Sequence, residues 1–315
     1  MKKRLISLLM TAVLLLAVLA GCGKEPEPEP TPEPTPDPHA GEIEVTDGAG
    51  GTIWVDESHV LTPFSLDRYA FSVTNGIVNY AKEGLTLSRG IDVSEYQHEI
   101  DWQAVAASGV EFAIIRVGYR GTSVGALNAD SLYAQNIQKA QAAGLKVGAY
   151  FYSQAASLME AAEEAVFTAQ LLKGYNLDLP VFYDWENFGD EGWRTNDVSP
   201  ETVTACCLEF CKLLESEGIA AGVYSSIPHV YWQYVLDELD GLTVWMGDPG
   251  NWPEFYYEHT YWQYSFTGTV PGIEGNVDLD VLYLPEQAQA PQLMNMSGAE
   301  PAAETAAPVG TGAAG

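Results

Sequence analysis

From Leu87 onward, short apolar runs alternate with amphipathic stretches. The runs Leu87–Asp92, Phe112–Val117, Lys146–Tyr152, Val181–Trp185, Ala221–Ser225, Leu242–Trp245, Tyr261–Ser265 and Val277–Leu282 are rich in β-branched and aromatic residues, and polar or Gly/Pro-containing links separate them. That pattern predicts eight strands. Between the early runs, apolar positions recur every three or four residues over Trp102–Ser108, Ser131–Ala143, Met159–Leu172 and Glu201–Ser216, which predicts helices. Ser157-Leu158-Met159-Glu160 reads as a capping box, and Ser199-Pro200 places an N-cap before a first-turn proline. Gly144 and Gly218 are candidate helix stops. Strand–helix alternation with short links predicts a parallel α/β architecture, and eight strands suggest a closed barrel. Links after the fifth strand have weaker helical character, so an irregular second half is expected.

Before Leu87 the pattern changes three times. Lys2, Lys3 and Arg4 precede an apolar run from Leu5 to Ala20, shaped like a secretion signal and short for a spanning helix. Its end, Leu19-Ala20-Gly21-Cys22, resembles a bacterial lipobox, which implies cleavage after residue 21 and a lipid on Cys22. Residues 22–39 alternate Glu, Thr or Asp with Pro and predict an extended spacer; its core of 14 residues, Glu25 to Pro38, would reach roughly 43 Å at about 3.1 Å per residue. Residues 40–86 form a small β-rich segment: Ile53-Trp54-Val55 follows a Gly-rich turn, and Thr74-Asn75-Gly76 joins two alternating runs, a β-hairpin signal. Too few apolar residues are present there for an independent core, so packing on the main domain, 87–285, is expected. Residues 286–315 are Ala/Gly/Pro/Gln-rich without periodicity and read as disordered.

The formal charge is −29, and loss of residues 1–21 would make it −32. So acidic a chain argues against nucleic acid and against adhesion to anionic lipid by charge. Membrane attachment is therefore expected through acyl chains on Cys22, with the domain outside the membrane facing the cell wall. Cys206, Cys207 and Cys211 lie on the apolar stripe of one predicted helix and read as small buried hydrophobes. No metal spacing and no cofactor motif is evident, and a monomer is expected.

The chemistry concentrates at strand ends. In Val181-Phe182-Tyr183-Asp184-Trp185-Glu186, alternation puts Asp184 and Glu186 on one face with Phe182, roughly 6.6 Å apart along the strand. Paired carboxyl groups of this kind can supply an acid beside a carboxylate. Asp92 closes the first strand and Asp278 lies in the last, and first and last strands adjoin in a closed barrel. Tyr119, Tyr150, Tyr152, Tyr224, Trp245 and Trp262 with Tyr264 cluster at the same ends, where aromatic faces suit sugar rings. Arg116 requires an acidic partner, with Asp184 or Asp92 the candidates.

Gly90-Ile91-Asp92-Val93-Ser94 with Gln97 and Ile100-Asp101-Trp102 resembles the opening of the glycoside hydrolase family 25 lysozymes. So do Phe112-Ala113-Ile114-Ile115-Arg116, Gly148-Ala149-Tyr150-Phe151-Tyr152-Ser153, Asp184-Trp185-Glu186, Gly222-Val223-Tyr224, Trp262-Gln263-Tyr264 and Val277-Asp278. The resemblance implies an irregular, flattened TIM-like barrel with about five β/α units followed mainly by β strands. It also implies cleavage of the β-1,4 bond between N-acetylmuramic acid and N-acetylglucosamine in peptidoglycan. Glu186 would be the general acid, and Asp184 its carboxylate partner as nucleophile, orienter or electrostatic support. Asp92 and Asp278 match the other acidic positions. Substrate contacts are expected from Arg116, Tyr119, Tyr150, Tyr152, Tyr224, Trp245 and Gln263. Two stretches depart from the family pattern: His98-Glu99 stands where Gly is usual, and Trp245-Met246-Gly247-Asp248-Pro249 lacks the usual aromatic. The competing reading is a non-catalytic glycan-binding lipoprotein with the same barrel.

Overall fold

The structure, a computed structural model, describes residues 36–285. The signal-like run, Cys22, most of the Pro/Glu spacer and residues 286–315 lie outside the described residues. The chain divides into two units after Ala40, and every strand and helix below belongs to the second.

Two hairpins come first. β1 (Glu42–Thr46) pairs with β2 (Thr52–Asp56), and β3 (Phe71–Thr74) with β4 (Ile77–Tyr80), both antiparallel. Asn75 and Gly76 take φ of 53° and 73°, the two positive values that a tight primed hairpin turn requires and that Asn-Gly supplies at low cost.

Then follow β5 (Leu85–Val93), α1 (Trp102–Ala107), β6 (Phe112–Arg120), β7 (Leu127–Ala129), α2 (Tyr133–Ala142), β8 (Lys146–Ser153), α3 (Leu158–Leu171), β9 (Val181–Trp185), α4 (Pro200–Ser216), β10 (Ala221–Ser226), α5 (Ile227–Gln233), β11 (Thr243–Gly247), β12 (Tyr261–Gly268) and β13 (Val277–Pro285). All eight runs read from the sequence are strands. They close a barrel in the order β5-β6-β8-β9-β10-β11-β12-β13, because β5 pairs with both β6 and β13. Pairing is parallel from β5 through β12, but β13 runs antiparallel to both neighbours. The parallel sheet expected from strand–helix alternation is corrected there, since the link 269–276 is too short to carry the chain back across the barrel. The short α5 was not expected either. The fold is thus a mixed α/β eight-stranded barrel.

Strand alternation creates two separate cores. One set of side chains, including Phe112, Ile114, Phe182, Trp245, Tyr261 and Leu282, fills the barrel interior. The alternate set packs outward under the helices, with Val181, Tyr183 and Trp185 of β9 among them. Gly90 and Gly222 make room inside: a Cβ on Gly90 would stand 2.1 Å from the Phe112 ring, and one on Gly222 only 2.4 Å from the Thr243 carbonyl oxygen. Helix starts follow the sequence. Ser199 accepts from Thr202 N with Pro200 in the first turn, and Ser157 accepts from Glu160 N. The Glu160 carboxylate reaches the Ala156 N–H (2.8 Å) rather than closing the box onto Ser157. Cys206, Cys207 and Cys211 are buried free thiols on α4.

Residues 57–86 wrap the outer wall where helices are missing. Phe71 packs edge-on to Trp262, with 5.8 Å between ring centroids, and Phe64 stacks on His259 at 4.7 Å. Tyr264 Oη donates to the Gly76 carbonyl (2.8 Å), and Phe64 N to that of Tyr256 (2.9 Å). Burial pushes His259 down to about 4, so the ring is neutral in this wall at neutral pH.

His98, where the family resemblance would place glycine, holds φ 53° and ψ −140°, a region that a Cβ disfavours. Replacement His98→Gly is expected to stabilise the fold by about 1 kcal/mol, read as a higher urea midpoint with unchanged slope. A lower midpoint would mean that contacts of the imidazole outweigh the backbone strain.

Candidate active site

At the end of the barrel where β5, β9 and β10 finish, the pairing register gathers the acids. Asp184 lies level with Tyr152 of β8 and Tyr224 of β10. Asp92 sits directly opposite Asp278. These two meet because β13 is antiparallel: its first residues, not its last, arrive at the acid end.

Glu186 stands one residue beyond β9 and is held by its backbone. Gln154, fully buried, donates from Nε2 to the Glu186 carbonyl oxygen (2.6 Å) and accepts from Thr195 Oγ1 (2.8 Å). Gln233 donates to the Asn187 carbonyl (3.0 Å), and Trp185 Nε1 to that of Ala155 (3.0 Å). The carboxyl itself stays open to the cleft, 17% exposed, with His229 Nδ1 at 3.7 Å from Oε1. That imidazole is placed by Ser226 Oγ (3.1 Å from Nδ1) and by the Phe188 ring, whose centroid is 5.0 Å away.

Deeper in the barrel the carboxyl groups are buried. Asp92 accepts from Gln263 Nε2 (2.7 Å), whose Oε1 accepts from Tyr224 Oη (2.7 Å). Asp280, two residues along β13 and on the same face as Asp278, accepts from Trp245 Nε1 (2.8 Å) and lies close enough to Asp92 for the two carboxyl groups to repel. Burial raises the pKa of Asp92 well above the carboxylate range, and Asp278 and Asp280 add repulsion. Asp184 is likewise raised, by burial and then by Glu186, against the pull of Arg116. Asp278 is pushed up to about 7 by burial and by Glu186. The cleft therefore combines buried carboxyl groups that hold their protons more tightly than free ones with an accessible carboxyl at its mouth. Such a set can protonate a leaving oxygen and stabilise an adjacent cationic carbon.

Several expectations from the sequence change. Arg116 pairs with neither Asp184 nor Asp92. Its Nε donates to Asp130 Oδ2 (2.9 Å) and its Nη2 to Glu95 Oε1 (3.2 Å), between the rings of Tyr96 and Tyr119. Trp262 and Tyr264 face the outer core, because Gln263 between them points inward. Trp245 is 2% exposed and forms barrel floor rather than rim. Tyr119, Tyr150 and Tyr152 are half-buried, while Tyr224 is buried under its bond to Gln263. Asp280 and His229 were missed. For Asp280 the signal was available, since Asp278-x-Asp280 repeats the Asp184-x-Glu186 spacing. For His229 nothing local pointed to the cleft. Among the described residues no group of His, Cys, Asp and Glu could hold a metal ion.

A model of the glycosyl hydrolases family 25 matches residues 91–273. The chain belongs to that family. It is 29% identical over 197 residues to an autolytic lysozyme of Clostridium acetobutylicum, covering 61% of this chain and 55% of that protein. Two solved structures share the fold at 24% identity. One is the modular autolysin LytC of Streptococcus pneumoniae in complex with a synthetic peptidoglycan ligand (TM-score 0.57; 68% of this chain, 52% of that one). The other is a family 25 glycosyl hydrolase of Bacillus anthracis (TM-score 0.54; 63% and 90%). The chain thus spans only about half the length of the Clostridium and Streptococcus proteins.

A carboxyl whose pKa is higher folded than unfolded binds its proton more tightly in the folded state. Its stabilising contribution is complete below the unfolded value and is lost as pH rises through the folded one. For Asp278 that window runs from about 4 to about 7. Asp278→Asn should flatten the fall in unfolding free energy between those pH values, compared with the parent by urea titration. Parallel curves would contradict the raised value.

Proposed function

We propose that the chain is a peptidoglycan hydrolase of the lysozyme type, cleaving the β-1,4 bond between N-acetylmuramic acid and N-acetylglucosamine. The observation that carries this reading is the convergence of Glu186, Asp184, Asp92 and Asp278 on one cleft. Family membership and the similarity to the autolytic lysozyme and to the autolysin solved with a synthetic peptidoglycan ligand support it. Glu186, the accessible carboxyl, donates a proton to the glycosidic oxygen as the bond from that oxygen to the anomeric carbon breaks. Asp184 stabilises the positive charge that develops on the sugar or orients its acetamido group. Water then adds to the anomeric carbon and loses its proton to a carboxylate of the cleft. Asp92, held by Gln263, fixes the floor on which these groups sit. Tyr119, Tyr152 and the Arg116 cluster border the sugar path.

The placement of the enzyme is part of the proposal. A lipid on Cys22 and the Pro/Glu spacer would hold the barrel outside the membrane against the wall, its own substrate. No cofactor enters this chemistry.

Glu186→Gln should cut the release of reducing ends from purified sacculi by about 10²–10⁴-fold while the thermal midpoint stays within error. Undiminished release would remove Glu186 from the acid role. Absence of new reducing ends with the unaltered chain would leave a glycan-binding protein. His229 lies close enough to steady the Glu186 carboxylate once its proton has gone, so His229→Ala should lower kcat roughly tenfold. An unchanged kcat would make His229 purely structural.

A further inference from the structure

The loop that leaves β11 departs from the family pattern, and the structure shows what the departure builds. Asp248 is buried, and its carboxylate accepts the backbone N–H groups of Glu254 and of Phe255 (3.2 Å). Trp262 Nε1 donates to the Asp248 carbonyl (2.6 Å), and Gly250 N donates to that of Tyr264 (3.1 Å). The loop is therefore tied to the barrel wall at both its start and its return.

From this fixed loop Trp252 projects, 37% exposed, beside Tyr69 of the N-terminal segment, which is 78% exposed. Their ring centroids are 6.0 Å apart. Tyr69 is also held, since Asp67 accepts from Tyr69 N (3.1 Å) and pairs with Lys82 (2.6 Å). Between the rings and β1 lies a pocket of about 160 Å³ whose walls include Glu44, Thr46, Arg68 and Glu254. Arg68 Nη1 donates to the Glu254 carbonyl (3.1 Å), which joins the two segments across the pocket.

Aromatic faces carried on anchored backbone and left in water forfeit the burial that usually justifies them. Here they adjoin carboxylate acceptors, a hydroxyl and a guanidinium at one small cavity. This combination matches a sugar residue, whose C–H face lies on an aromatic ring while its hydroxyl and amide groups bond to charged side chains. We propose that the pocket between Tyr69 and Trp252 is a second glycan-binding site, taking an amino-sugar unit of the same polymer that enters the cleft. The proposal rests on the peptidoglycan hydrolase reading and extends it: residues 40–86 would help the enzyme hold an insoluble strand. The loop that carries Trp252 begins at Gly247, at the acid end of the barrel, so cleft and pocket share one support.

The test uses the full chain with Glu186→Gln, so that binding is measured without turnover, and purified sacculi as the probe. Tyr69→Ala with Trp252→Ala should weaken sedimentation with sacculi about tenfold. In the active background the same pair should slow sacculus clearing, yet leave hydrolysis of a soluble tetrasaccharide of alternating N-acetylglucosamine and N-acetylmuramic acid within about twofold. Tyr69→Ala alone, at a largely exposed position, guards against a folding defect and should show part of the effect. Unchanged sedimentation, or an equal loss on the soluble substrate, would overturn the second site. Failure of the unaltered chain to release reducing ends would instead overturn the hydrolase reading, and the sedimentation result would still decide the pocket.

Discussion

The reversal of β13 is the constraint on which the site depends. A closed barrel leaves no sheet edge, so its last strand must pair on both sides; from Asp278 to Pro285 every residue of β13 has a partner on β5. Had this strand entered parallel, like the seven before it, Asp278 would sit at the opposite pole from Asp184. Entering antiparallel, it delivers its N-terminal residues to the acid end. The link from β12 spans only 269–276, too short for a helical crossover, and the direction follows from that length.

Closure also sets the electrostatics. Below the acids, Phe112, Phe182, Trp245 and Tyr261 fill the interior, their rings meeting at centroid distances between 5.2 and 6.0 Å. This plug withholds water from the carboxyl groups above it, and burial is the foremost cause of the raised pKa of Asp92, Asp184, Asp278 and Asp280 alike. Charge repulsion adds to it, so each of these acids holds its proton more tightly than a free one would. The hydrogen bonds from Gln263 and Trp245 compensate part of that burial cost and fix the orientation of the floor. Glu186 stands beyond the strand end and keeps contact with solvent. The accessible acid and the buried ones follow from position along the same barrel wall.

Much of the barrel was legible because strands carry a period of two and their boundaries carry Gly, Pro and Asn. The same period identified Asp184 and Glu186 as sharing the inner face with Phe182. Partners distant in sequence were harder to read. Arg116 finds Asp130 after the chain has turned back through β7, and nothing at Arg116 itself reveals this. Trp262 and Tyr264 looked like rim residues because aromatic composition was weighed without phase. Once Gln263 is taken as inward, alternation sends both outward. Asp280 carries the spacing signal in its sequence, but its meeting with Asp92 depends on the direction of β13.

The antiparallel closure has a further consequence on the outside of the barrel. Parallel pairs come with crossover helices that cover the outer wall, as α2, α3 and α4 do here, whereas the links into β12 and β13 bring none. The outward side chains of these strands, among them Trp262, Leu279, Val281 and Tyr283, are nevertheless buried. Phe64 and Phe71 provide part of that cover, meeting Tyr283 at 6.0 and 5.6 Å. The small N-terminal segment therefore replaces a missing helical layer, and its cooperative stability derives from the barrel, not from its own few apolar residues. A cover made of hairpins and loops differs from a helix in one respect that matters: its turns can carry side chains such as Tyr69 outward without disturbing the packed face. The wall left bare by the reversed strand is thus where a chain of this family can add surface chemistry while its acid end stays unchanged.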